Sequence, residues 1–210
     1  MNQQTSKKLV LFDFDGTLTH GDTLIRFLYF SMPLYSLCWG ALRLLFVWAA
    51  LALSGKWNTH RAKELLFAVY FKNHSAEDLD QLGRSFYQGP MQSCLHAEMM
   101  RVLRKYKSEG ATVALVSASL KTWLQPLAEH EQIELICTEL AFTDGKFNGQ
   151  FYGLNCQEEE KVKRIQARFH LADYQVIAYG NSSGDIPMLA LAQEAFWVKN
   201  GVVRKIQDDL

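Results

Sequence analysis

Two aspartates stand one residue apart in the stretch LVLFDFDGT, residues 9–17. Carboxylates this close repel, and at the end of an apolar run they also lose hydration. Asp13 and Asp15 therefore need a compensating cation and hydrogen bonds. Side chains at i and i+2 of an extended chain point the same way, toward one reacting group. Gly16 permits a tight turn beside the reacting group. A hard cation with oxygen ligands meets the charge requirement, and Mg²⁺ is typically held by one or two carboxylates together with waters and a phosphate.

The elements that must position this pair follow from hydropathy. Residues 8–14 read as a buried parallel strand, a short apolar run without alternation. TVALVS (112–117) and YQVIAYG (174–180) read the same way. The first leads into Ser117-Ala118-Ser119 and the second into Asn181-Ser182-Ser183-Gly184-Asp185. Residues 133–140 form a further strand, and AFWVK closes the series. Asp-Gly and Asn-Gly within 142–152 predict a small β-hairpin. Helices are predicted over 94–109, stopped by Gly110; over 121–130, broken near Pro126; over 158–170; and over 186–193, with Pro187 in the first turn. Alternating strands and helices imply an α/β fold, a doubly wound parallel sheet whose ligands bind at the carboxyl ends of its strands. The polar strand ends named above would meet there.

Composition narrows the class. The 210 residues carry 22 basic and 22 acidic side chains, so nothing marks a nucleic acid as partner. Apolar residues make up 49%, enough for a core and against disorder. The four cysteines are widely spaced and read as reduced core thiols, and the six histidines form no HxxxH pair. MNQQTSKK is polar, and the LVLF behind it is too brief for a signal-peptide core, so a cytoplasmic chain is expected.

Together the motifs resemble the haloacid dehalogenase-like phosphohydrolases. DFDGT (13–17) is similar to their first motif, Ser117 to the second, Lys161 opening a helix to the third, and GNSSGD followed by IPML to the fourth. The texture NCxxxEKVKRI then AYGNSxGDxxML resembles subfamily IB, which includes phosphoserine phosphatase. The resemblance implies a Rossmann-like core and a Mg²⁺-dependent phosphatase. Asp13 would be the nucleophile and Asp15 the acid and then base. Gly16, Ser117, Ala118 and Lys161 would hold the phosphoryl group, with Lys163 as the rival to Lys161. The metal would rest on Asp13, the backbone carbonyl of Asp15, Asn181 and Asp185. The family more often has Asp where Asn181 stands, so weaker metal affinity is expected.

About a hundred residues separate the first two motifs, too many for a loop. In subfamily IB an insertion here forms a helical cap. The expected division is a core of 1–20 and 93–210 with a cap of 21–92, in which 60–71 and 75–88 read as helices. By position, Asp22 and Arg61 resemble the cap residues that meet substrate. Residues 24–53 are long and apolar enough for a membrane span, interrupted only by Arg26 and Arg43. A single crossing would separate Asp13 from Ser117, so the segment must re-enter, lie in the interface, or stay within protein as a cap helix or a homodimer face. Trp39-Gly40 is the expected break between two halves. A comparable apolar cap occurs in phosphatidylglycerophosphatase C, a related protein. The resemblance implies, as the expected substrate class, a phosphorylated small molecule or a phosphorylated lipid.

Overall fold

In the computed structural model, residues 7–53, 55 and 58–206 are described, so the first six residues of the polar leader lie outside them. The chain runs from strand β1 (Lys7–Phe12) into four helices, α1 (Thr23–Ser31), α2 (Leu34–Leu53), α3 (Thr59–Phe71) and α4 (Ala76–Gln88). It continues through α5 (Ala97–Ser108), β2 (Thr112–Leu120), α6 (Lys121–Glu131), β3 (Glu134–Thr138), β4 (Leu140–Thr143) and β5 (Lys146–Phe151). The last elements are α7 (Glu159–Arg168), β6 (Tyr174–Gly180), α8 (Ile186–Leu189), β7 (Glu194–Lys199) and β8 (Val202–Lys205).

The main sheet has the order β3-β2-β1-β6-β7-β8, parallel except for β8. Its central strands are apolar throughout because both faces are covered. Val10 and Phe12 of β1 enter one core with Leu115 and Tyr179, whereas Leu9 and Leu11 enter a second with Val116 and Ala178. The chain winds from β1 outward to β3 and then returns to β6 on the other side of β1. The sheet thus reverses direction between β1 and β6, the place where such folds bind ligands.

Several sequence expectations are corrected. The 133–140 strand is two strands: β3 joins the main sheet, and β4 pairs with β5 in a separate hairpin. That hairpin turns at Asp144-Gly145, both at positive φ as a primed turn demands. The helix expected over 186–193 is the four-residue α8. Helix α6 passes through Pro126 without breaking. Pro126 has no N–H for the carbonyl of Thr122, and that carbonyl meets Gly83 of α4, where an added Cβ would lie 1.7 Å from it. The close approach of a glycine from the neighbouring helix thus fills the gap that proline leaves.

The apolar segment does not break at Trp39-Gly40. Met32 is extended, at φ −157, ahead of Pro33, and this ends α1. Helix α2 then runs unbroken for 20 residues. Gly40 lies within it because the Tyr70 ring of α3 packs there; a Cβ would sit 2.0 Å from a ring atom. Nor is α2 a buried helix, since only Gly40 and Leu44 are buried along its length. Cys38 is likewise exposed rather than a core thiol.

Candidate active site

The carboxyl ends of β1, β2 and β6 converge on a cavity of about 230 Å³. Asp13 follows β1 directly, its amide still bonded to the Tyr179 carbonyl of β6 at 2.9 Å. Gly16 closes the turn at φ +81, and the Asn181 side chain packs where a Cβ would be. An irregularity in β2 between Ser117 and Leu120 re-aims Ser117, Ala118 and Ser119 toward the same cavity. Lys161 lies in the first turn of α7. Asp185 ends the loop after β6, and a capping box with Ser182 holds it in place.

Lys161 is the hub. Its buried Nζ donates to Asp13 Oδ1 at 2.7 Å and to Asp185 Oδ1 at 2.6 Å. Lys163, the rival, is exposed. Asp185 Oδ2 accepts from the amides of Asn181 and Ser182 and from Ser182 Oγ, at 3.1, 3.0 and 2.8 Å. Asp15 is held apart from this ion cluster. Its Oδ1 accepts from the amide and the hydroxyl of Thr23, each at 2.7 Å, and its Oδ2 accepts from Ser119 Oγ. Asp15 therefore satisfies one of the orphan N–H groups that open α1, beside Asp22, whose carboxylate accepts from Leu24 N. Ser117 Oγ accepts from the Ser119 amide at 3.0 Å, which leaves its hydroxyl hydrogen for a ligand in the cavity.

These contacts set the charge states. Burial pushes the Asp13 carboxyl up to about 7, with Lys161 pulling it back. Burial also raises Asp15, against the hydrogen bonds from Ser119 and Thr23. Asp185 shares the burial but falls below the usual carboxylate range, because Lys161 and the loop donors outweigh it. Lys161 is desolvated as well, yet its two carboxylates hold it firmly protonated. Burial thus makes Asp13 and Asp15 both easier to protonate, while Asp185, held by Lys161 and the loop donors, stays ionised more readily.

The expected residues separate into three groups. Asp13, Asp15, Asp22, Ser117, Ala118, Lys161 and Asp185 all line the cavity. Gly16 and Asn181 meet in the contact just described and are not among the lining residues. Arg61 is exposed near the start of α3 and does not line the cavity. Two residues on, Lys63 does; its Nζ donates to the Ala118 carbonyl at 2.7 Å and lies 3.4 Å from Asn155 Oδ1. Burial lowers the Lys63 ammonium, while Asp15 and Asp22 raise it. The sequence gives no signal for Lys63, which reads as one more charge on a polar helix turn. Thr23, which donates twice to Asp15, carried no such signal either, whereas Ser119, the other partner of Asp15, stood among the polar strand ends expected to meet here.

The donor set fits a hard cation. Asn181 Oδ1 is buried and without a hydrogen-bond partner, so a cation reached from Asp13 and Asp185 would satisfy it.

A protein-family model described as haloacid dehalogenase-like hydrolase matches residues 10–190. The chain is 33% identical over 189 residues to Protein CicA of Caulobacter vibrioides, covering 89% of this chain and 83% of that protein. Among solved structures, a protein with unknown function from Bordetella pertussis Tohama I matches with a TM-score of 0.75 at 23% identity, over 91% of this chain and 89% of that one. A phospho-aspartyl intermediate analogue of a phosphoserine phosphatase matches with a TM-score of 0.55 at 22% identity, over 90% and 85%. At these identities the two structures are alike in fold.

Proposed function

Since this chain belongs to the haloacid dehalogenase-like hydrolase family, we propose that it is a Mg²⁺-dependent phosphomonoester hydrolase working through an aspartyl-phosphate on Asp13. The observation that carries this reading is the Lys161 bridge between Asp13 and Asp185, with Asp15 held separately across one cavity.

An oxygen of Asp13 attacks phosphorus as the ester oxygen departs with the proton of Asp15. Asp15 then takes a proton from the water that attacks the aspartyl-phosphate, giving inorganic phosphate and free Asp13. Burial keeps Asp15 easy to protonate for the first step. Thr23 and Ser119 fix the carboxyl in place for both. Lys161 and the Ser117 hydroxyl stabilise charge on the transferring oxygens. Asp13, Asn181, Asp185 and the backbone carbonyl of Asp15 would hold Mg²⁺, which when bound supplies charge neutralisation at the phosphoryl group.

In this reading, helices α1–α4 of residues 21–92 act as a cap over a core of 1–20 and 93–210. Asp22, Leu24 and Lys63 face the leaving group. The exposed apolar α2 favours an amphiphilic phosphoester over a small polar one such as phosphoserine. Free, mostly buried thiols support a cytoplasmic location.

The test is release of inorganic phosphate with Mg²⁺ from phosphoserine, sugar and nucleotide monophosphates, lysophosphatidate and micellar phosphatidylglycerophosphate. Release is expected, falling by about 10³-fold or more in Asp13→Asn. No release from any ester, or equal release by the variant, would overturn the reading and favour a protein that only binds phosphorylated ligands.

A further inference from the structure

Helix α2 shows an inversion of ordinary burial. Tyr35, Trp39 and Phe46 are 69, 67 and 70% exposed, and Leu53 is 90% exposed. On α1, the helix before it, Ile25 and Tyr29 are exposed as well. Contiguous apolar surface of this kind marks an interaction site.

We propose that this α1–α2 face docks in the plane of an anionic lipid surface. Two observations choose that occupant over a second copy of the chain, and a third chooses in-plane docking over crossing. First, the arc is broad. At about 100° per residue, exposed apolar positions from Leu34 and Leu45 round to Trp39 cover roughly 140°, wider than the seam a partner helix fills. Second, the charge has one sign. No Asp or Glu occurs anywhere from residue 23 to 63, while Arg26 and Arg43 are exposed and form no ion pair with any described residue. A two-fold interface would set this face against itself, arginine facing a surface without acids. Lipid phosphates supply the missing anions, and arginine stems can lie along apolar surface while their heads reach the headgroups.

Third, α2 is tied down along its length. Tyr70 Oη of α3 donates to the Leu37 carbonyl at 2.9 Å, and Trp48 Nε1 donates to the Ala62 carbonyl at 3.3 Å. The helix is long and apolar enough to cross a membrane, but crossing would strip it from α3. In-plane docking keeps these bonds and uses only the outward arc.

This proposal does not rest on the hydrolase reading, and its test reads no catalysis. The full chain is sedimented with phosphatidylcholine vesicles and with vesicles containing about a third phosphatidylglycerol, alongside its mass in solution by light scattering. Binding to the anionic vesicles is expected, several-fold weaker in Arg43→Gln and at high salt, and lost in the double variant Leu45→Glu/Phe46→Glu. Retention in the supernatant with both vesicle types would overturn the proposal. A dimer in solution that the same double variant dissociates would also overturn it, assigning the face to a second copy. Binding that is equal on both vesicle types and unchanged in Arg43→Gln would remove the anionic part of the claim.

Discussion

The Lys161 cluster and the α2 face break the burial rule in opposite directions. In the first, three charged side chains, Asp13, Lys161 and Asp185, lie almost wholly out of water at the end of an apolar sheet. In the second, a row of aromatic and aliphatic side chains stands in water beside a core that has room for only two positions of the helix. Ordinary folding favours neither, since buried ions cost desolvation and exposed apolar area forgoes the hydrophobic gain. The regions also differ in how tightly neighbours constrain them. The cluster is tied together across the sheet through Lys161, whereas the side chains of the α2 arc stand mostly exposed. A substitution should therefore propagate in the first and stay local in the second.

The largest expected effect is that of Lys161→Met. It leaves two buried carboxylates uncompensated, at a cost of about 3–5 kcal/mol in folding stability, and phosphate release should be lost with it. The sign of its pH dependence is set by the same charges. With the cation gone, Asp13 and Asp185 are harder to ionise in the folded state than in the unfolded chain, so the deficit relative to wild type should shrink as pH falls from 8 to 5. Thermal unfolding across that range checks it. A deficit independent of pH would show that the lysine matters by packing rather than by charge.

A smaller effect concerns Asp13 in the intact protein. Its carboxyl is raised to about 7 by burial, so protons compete with a cation for it just below neutrality. Metal requires the ionised form. The Mg²⁺ concentration for half-activation should therefore rise roughly tenfold between pH 8 and pH 6, one proton being displaced. A flat requirement over that interval would mean that Asp13 is already ionised at pH 6.

Smaller again is Asn181→Asp, which adds one negative charge beside the unpartnered site of Asn181 Oδ1. Half-activation should shift several-fold toward lower Mg²⁺, and the rise in melting temperature on adding Mg²⁺ should exceed that of wild type. An unchanged or weaker response in both measurements would remove Asn181 from the cation site.

The two regions were unequally legible in the sequence. Strands β1, β2 and β6 could be read because burial on both faces leaves unbroken apolar runs. The polar residues at their ends then had to meet, which located Asp13, Ser117 and Asp185 without any knowledge of distance. Lys63 and Thr23 could not be read, since a threonine and a helix lysine are ordinary on polar turns, and only folding brings them beside Ala118 and Asp15. The same limit explains Pro126 and Gly40. Proline inside a helix and glycine beside tryptophan look like breaks until the neighbouring Gly83 and Tyr70 are known. Residues 24–53 were ambiguous for a different reason. Hydropathy measures what a helix could bury, and only the packed structure shows that α3 covers one narrow strip of it.

The smallest expected effect sharpens the contrast most. Phe46→Glu replaces an exposed ring on α2 with a charge. Because Phe46 is 70% exposed and lies outside the strip that meets α3, the monomer should lose or gain no more than about 0.5 kcal/mol in denaturant unfolding. Against Lys161→Met, that is a several-fold smaller response from an equally radical change of charge. Replacing an exposed apolar ring touches neither the α3 bonds of Tyr70 and Trp48 nor the active-site cavity. A loss of 2 kcal/mol or more would contradict this, and dilution would then decide the cause. A loss that vanishes as the protein is diluted would mean that Phe46 was buried against another copy. A loss that persists at every concentration would mean that the arc is part of the fold, and the division between a constrained site and a free surface would no longer hold.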